Sequence, residues 1–166
     1  MCFPCPISSQ STLTAADYAS IAAFNKQVKA LQVQLNAVGK AATDAGTKID
    51  AMKKALKITP KEYPDAEKKL FDLGERLKMV QRSLNGDGTL SARNENVPDS
   101  IRASVRGAAS AHQSAIAKPT GTQRELLASS AKALAEVAAA LKVLAEKDVP
   151  ELEKALEAAG VLPKLP

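Results

Sequence analysis

Residues 21–56 read IAAFNKQVKALQVQLNAVGKAATDAGTKIDAMKKAL, and this stretch decides the fold. Within it Ile21, Phe24, Val28, Leu31, Leu35, Val38, Ala42, Ala45, Ile49, Met52 and Leu56 recur at alternating steps of three and four. That spacing keeps one apolar stripe against a partner helix, so it reads as an unbroken heptad seam. Thr14 and Asp17 precede it as a capping-box pair, with Leu13 and Tyr18 at the staple positions. Pro60 confines Thr59 to extended geometry and ends the run. The expectation is one helix over about 15–57, roughly 63 Å long at 1.5 Å per residue. Ala42 and Ala45 narrow its seam, and Gly39 and Gly46 weaken its middle slightly.

Outward from this helix the pattern repeats in shorter pieces. Tyr63, Ala66, Leu70, Leu73, Leu77, Val80 and Leu84 predict a second helix over about 64–84, opening on Pro64. Residues 84–98 then interrupt the helical pattern with Asn85-Gly86-Asp87-Gly88 and a closing Pro98. A third helix over about 98–117 carries Ile101, Val105, Ala108, His112, Ala115 and Ile116 inward. Thr122 with Glu125 reads as the capping box of a fourth helix over about 122–147. Its expected inner face is Leu127, Ala131, Leu134, Val137, Ala138, Leu141, Leu144 and Ala145. Pro150 implies a kink or restart, with a last helix over about 150–159 ending at Gly160.

Composition agrees with an all-α chain. Aromatic residues make up 3% and Trp is absent, while Ala, Leu, Lys and Glu dominate, a balance that favours close-packed helices over sheets. The expected architecture is an antiparallel four-helix bundle with one very long first helix, a kinked long last helix and a coiled-coil-like stem. Residues 1–12 read as a disordered tail and 13–166 as a single domain. In this scheme the second helix descends half the length of the first, the third climbs back, and the fourth runs down the full length. The 84–98 connector falls at the waist, with Leu90 and Val97 placed to cover the stem.

No chemistry is visible in these patterns. Asn85-Gly86-Asp87-Gly88-Thr89-Leu90-Ser91 imitates the middle of a calcium loop between helices. With Asp87 at the fifth loop position, Ser83 takes the first and Asn94 the twelfth, where calcium needs an acid and a bidentate Glu, and Glu95 stands one place late. Cys2 and Cys5 make a C-x-x-C between Pro4 and Pro6, without the helix start that redox pairs use or the further ligands that zinc requires. His112, the sole histidine, has no Cys, Ser or second His at relay spacing. The carboxylate pairs Asp65 with Glu67 and Glu151 with Glu153 stand at i,i+2 and point apart on a helix. No catalytic, cofactor or metal residue is therefore assigned, and no cofactor is expected.

A net charge of +5 permits attraction to polyanions, but most cations alternate with acids along the helices. The least mixed patch is Ile101–Arg124, where Arg102, Arg106, Lys118 and Arg124 occur without an acidic residue. It lacks interleaved aromatics for stacking on bases, which disfavours nucleic acid as the partner. No apolar run reaches the roughly 20 residues of a membrane span, and the N-terminus shows no basic region followed by a hydrophobic stretch.

Several short motifs occur in a telling order: Leu84-Asn85-Gly86-Asp87-Gly88-Thr89, Arg93-Asn94-Glu95, Pro98-Asp99-Ser100-Ile101, residues Pro119 to Arg124, and residues Leu152 to Gly160. Together they resemble the C-terminal helical region of large bacterial proteins with sortilin-type, bacterial-neuraminidase-repeat β-propellers, often labelled glycosyl hydrolases. The likeness runs from about Leu13 to Pro166. It implies an accessory helical module without the propeller, which would hold any substrate site. The functional expectation is a non-catalytic interaction or scaffold module. Its expected partners are a β-propeller domain or protein in trans and a second copy joined through the stem seam. The alternatives are part of a glycosyl hydrolase-like protein whose active site lies elsewhere, and a helical protein that binds an anionic ligand, nucleic acid or lipid, weakly. The resembled full-length proteins are typically exported, and the sequence itself assigns no compartment.

Overall fold

A computed structural model describes residues 13–93, 99–113 and 117–162, with the side chains of Ser91 and 111–113 excepted. Among these residues helix is the only regular secondary structure. The elements are α1 (Ala15–Ile58), α2 (Pro64–Asn85), a short α3 (Gly88–Ala92), α4 (Ile101–Gln113), α5 (Gly121–Val143), and α6 (Val149–Ala158), joined to α5 through a π turn at Leu144–Asp148. The long first helix and the long, joined last helix are both present as the sequence predicts.

α1 is fixed at both ends by local chemistry. The Asp17 amide donates to the Thr14 hydroxyl at 3.3 Å, and the Thr14 amide donates back to the Asp17 carboxylate at 2.9 Å. At the far end Thr59 is extended, with φ −83° and ψ 129°, as the residue before a proline must be. Its hydroxyl turns back to the Ala55 carbonyl at 2.8 Å. Between these stops every predicted seam residue from Phe24 to Leu56 is buried except Val38, which is half-buried.

Contacts of known register give the topology. Arg124 reaches Ser20 on α1, and Lys48 reaches Glu153, pairs separated by 104 and 105 residues. A constant separation means that α1 and the α5–α6 helix run parallel, side by side, over the length of the molecule. They touch near both ends, as expected, but in the same direction. Gly46 lies against Leu77, Gly74 against Lys53 and Tyr63 against Ala159, so α2 runs antiparallel to both long helices in the upper half. Arg102 meets Asn36 and Gly39, and Lys118 meets Asp17, so α4 continues downward along the lower half.

This corrects the expected layering. The third predicted helix does not climb back beside the second; α2 and α4 lie in tandem, and the molecule is three helices across at both levels, with no two-helix stem. The physical reason is coverage of the seam. α1 is about 66 Å long and α2 about 33 Å, so only a second segment laid end to end can take the rest of the stripe out of water. The connector at residues 86–100 allows an in-line continuation because it is too long to force antiparallel neighbours. A stem seam open to a second copy is accordingly absent.

Three local expectations also change. The N-cap of α5 lies two residues early, because the working capping box is Thr120 with Gln123, at 3.2 and 2.9 Å, rather than Thr122 with Glu125. Thr-x-x-Gln and Thr-x-x-Glu overlap here, and the earlier register buries Pro119 beneath the turn. Ser130, not Ala131, faces the core, its hydroxyl satisfied by the Leu126 carbonyl at 2.7 Å. α4 begins at Ile101, with the Ser100 hydroxyl accepting from the Ala103 amide at 3.1 Å, instead of at Pro98, which lies outside the described residues.

At Pro150 the helix neither breaks nor restarts. The ring cannot donate to the Glu146 carbonyl, and one turn widens so that the Val149 amide bonds Leu144. The extra residue also repairs the pattern: Leu141, Leu144, Val149, Leu152 and Leu156 are all buried, and only a bulge makes the five-residue step from 144 to 149 compatible with one face.

Candidate functional site

The calcium-like segment folds as a helix terminator. α2 ends on Gly86 at φ 89°, a conformation that favours glycine, and the Gly86 amide donates to the Arg82 carbonyl at 2.7 Å. The oxygens that would serve a cation are already committed. Asp87 accepts from the Thr89 amide at 3.0 Å and from its hydroxyl, and pairs with Arg82 Nε at 3.1 Å. The Thr89 hydrogen bonds hold the Asp87 carboxyl below the usual aspartate value, so it stays a compensated anion. The Ser83 hydroxyl bonds the Met79 carbonyl, and Asn85 Oδ1 accepts from Arg102 Nε at 3.1 Å. No group of three metal-binding side chains converges among the described residues.

Of the other residues weighed on sequence grounds, Cys2, Cys5, Asn94, Glu95 and Val97 lie outside the described residues, as does the side chain of His112. Glu153 pairs with Lys48 at 3.4 Å while Glu151 stays exposed, so this carboxylate pair diverges as its spacing requires. Asp65 and Glu67 occupy the first turn of α2, where they complement the helix dipole.

The four cations of the Ile101–Arg124 stretch divide into two pairs. Lys118 bonds Asp17 at 2.6 Å and Arg124 NH2 reaches the Ser20 hydroxyl at 3.4 Å, which ties the start of α5 to the start of α1. The hydrogen bond from Lys118 lowers the Asp17 carboxyl below its ordinary value. Arg102 and Arg106 instead line a groove of about 200 Å³ between α4 and α1, with Gln32, Leu35, Asn36 and Val105.

Two further grooves follow α2. One, of about 330 Å³, lies beside the π turn and mixes Lys69, Arg76, Asp72, Asp148 and Glu151, with Arg76 and Asp148 paired at 2.5 Å. The other, of about 300 Å³, runs between α2 and α5 over Met79, Val80, Val137, Ala140 and Leu144. Met79 is 60% exposed there, and Val143, one turn beyond Ala140, is 50% exposed. Phe71, two turns earlier on α2, is 64% exposed. Sequence reasoning missed this groove because Met79 and Val143 lie off the seams; large apolar residues at outward positions were the available signal.

Comparison of the chain with protein-family models, with curated proteins and with solved structures finds no match in any of the three.

Proposed function

We propose that this protein is a non-catalytic helical interaction module, of the kind its motif order resembles: the accessory helical region of β-propeller proteins. The observation that carries the reading is the apolar groove between α2 and α5, where Met79 stands in water over Val80, Val137, Ala140 and Leu144 and Val143 is exposed one turn beyond Ala140. Large apolar side chains grouped around a groove favour a protein surface as the occupant. The partner is a β-propeller, in the same polypeptide or in another. Self-association through the α1 seam has no support, since the seam from Phe24 to Leu56 is covered by the molecule's own helices.

The test is calorimetric titration of the chain with a purified β-propeller encoded in the same or an adjoining reading frame. Binding is expected, and Met79→Glu with Val143→Glu should abolish it while leaving the circular dichroism of the rod unchanged. No heat of binding with the wild-type chain, or binding indifferent to both substitutions, would overturn the proposal.

A further inference from the structure

A second surface, independent of the apolar strip, carries its own inference. Along α1 no Asp or Glu occurs between Asp17 and Asp44, and none occurs between Asp99 and Glu125. The fold packs these two acid-free stretches against each other, because α4 covers the lower half of α1. Lys29, Gln32, Asn36 and Lys40 are spaced by three and four residues and so share a face of α1; Arg102 and Arg106, four apart, share a face of α4. The groove of about 200 Å³ lies between Gln32 and Asn36 on one side and Arg102 and Arg106 on the other, with Lys29 and Lys40 one turn beyond Gln32 and Asn36 along α1.

Its hydrogen-bonding character is one-sided. Arg102 NH1 donates to Asn36 Oδ1 at 3.2 Å and its Nε to Asn85 Oδ1 at 3.1 Å. Two neutral amides thus fix the guanidinium without neutralising it. Each amide spends its oxygen in doing so, which leaves the Asn36 NH2 group available for donation. Among the described residues no carboxylate pairs with Lys29, Lys40, Arg102 or Arg106. Arg102 meets α1 at Asn36 and Gly39, and Arg106 lines the groove with Gln32, so the four cations follow one another over roughly 16 Å of the α1 axis.

The geometry points to a binding groove for the phosphodiester backbone of a nucleic acid, engaged by charge and without base readout. A row of cations longer than a single phosphate, with Arg102 held in place by Asn36 and Asn85, fits a linear polyanion. The floor residues Leu35 and Val105 are 2% and 1% exposed, so the groove offers almost no apolar area of the kind an amphipathic acidic helix would cover. No aromatic side chain lines it, so bases find no stacking platform and the contact is confined to phosphates.

The test is fluorescence anisotropy of a labelled 20-base-pair DNA duplex of arbitrary sequence, titrated with the full chain from 20 to 200 mM salt. Binding is expected in the micromolar to 100 µM range, weakening with a log–log salt slope of about −3.6 if all four cations contact phosphate. Lys29→Ala with Arg106→Ala, both at exposed positions, should weaken it at least tenfold. Lys54→Ala with Lys57→Ala, which removes the same charge from the upper end, should weaken it less than twofold. Equal losses in the two double variants would reduce the effect to net charge and overturn the proposal. So would absence of binding at 20 mM salt, or tighter binding to poly-glutamate or to phosphatidylserine vesicles than to the duplex.

Discussion

The two halves of the rod are built differently although α1 and the α5–α6 helix run through both. Of the eight largest fully buried side chains, Ile49, Met52, Leu70, Val149 and Leu156 lie above the waist, Leu84 and Leu144 lie at it, and Val105 alone lies below. Ion pairs follow the same division. Lys48 with Glu153 and Arg76 with Asp148 cross-link helices above, whereas Lys118 with Asp17 is the one ion pair below among the described residues. The upper half concentrates apolar burial and neutralised charge. The lower half buries Phe24, Leu31, Leu35, Leu127 and Leu134 with Ala108 and Ser130, and among the described residues it leaves Lys29, Arg102 and Arg106 without a carboxylate partner. Interhelical ion pairs and cations without a carboxylate partner thus fall largely at opposite ends of one scaffold.

The contrast is broken most directly in the core. Leu70→Ala should cost about 4 kcal/mol and Leu127→Ala about 2–3 kcal/mol in urea denaturation, near the two ends of the range for buried leucines. Equal losses would show that burial in the two halves counts alike. At the waist, Gly86→Ala forces a Cβ into a backbone region that L residues avoid, at a cost of about 1–3 kcal/mol. Native-state hydrogen exchange should show that loss first in amides near the joint of α2 and α4.

Smaller effects test the lower half alone. Thr120→Ala should cost about 1 kcal/mol, while Thr122→Ala stays within about 0.5 kcal/mol of wild type, since only the former removes the cap. The reverse order in thermal melts would return the start of α5 to the later register. The smallest effect is with acid. Asp17 and Asp87 both have carboxyls held below the ordinary value of 3.8, so each contributes stability above that value and loses it as the pH falls through the lower folded value. Asp17→Asn should flatten the acid limb of the stability profile below pH 4 while leaving its shape near neutrality unchanged.

The sequence disclosed what depends on neighbours along the chain. The Thr14–Asp17 box, the seam from Phe24 to Leu56 and the stop at Pro60 are local, and each appears where its residues require. What it concealed depends on direction and on distance in the chain. Nothing within residues 84–100 states whether the next helix continues or reverses; the uncovered remainder of the α1 seam decides that. The π turn is signalled by the five-residue step from Leu144 to Val149, whereas Pro150 alone points only to a kink or restart. The cationic groove was half visible as Arg102 and Arg106. Its other half, Lys29 and Lys40, belongs to a helix more than sixty residues away and joins it only through the tandem placement of α4.

Three passes are an odd number. The start of α1 at Ala15 and the end of α6 at Ala158 therefore stand at opposite ends of a rod about 66 Å long. Whatever is joined to the two ends is held apart by that span, and a pull between them shears two parallel helices along their whole contact instead of peeling them open. Along the last helix the π turn at Leu144–Asp148 is where such a load meets a widened coil.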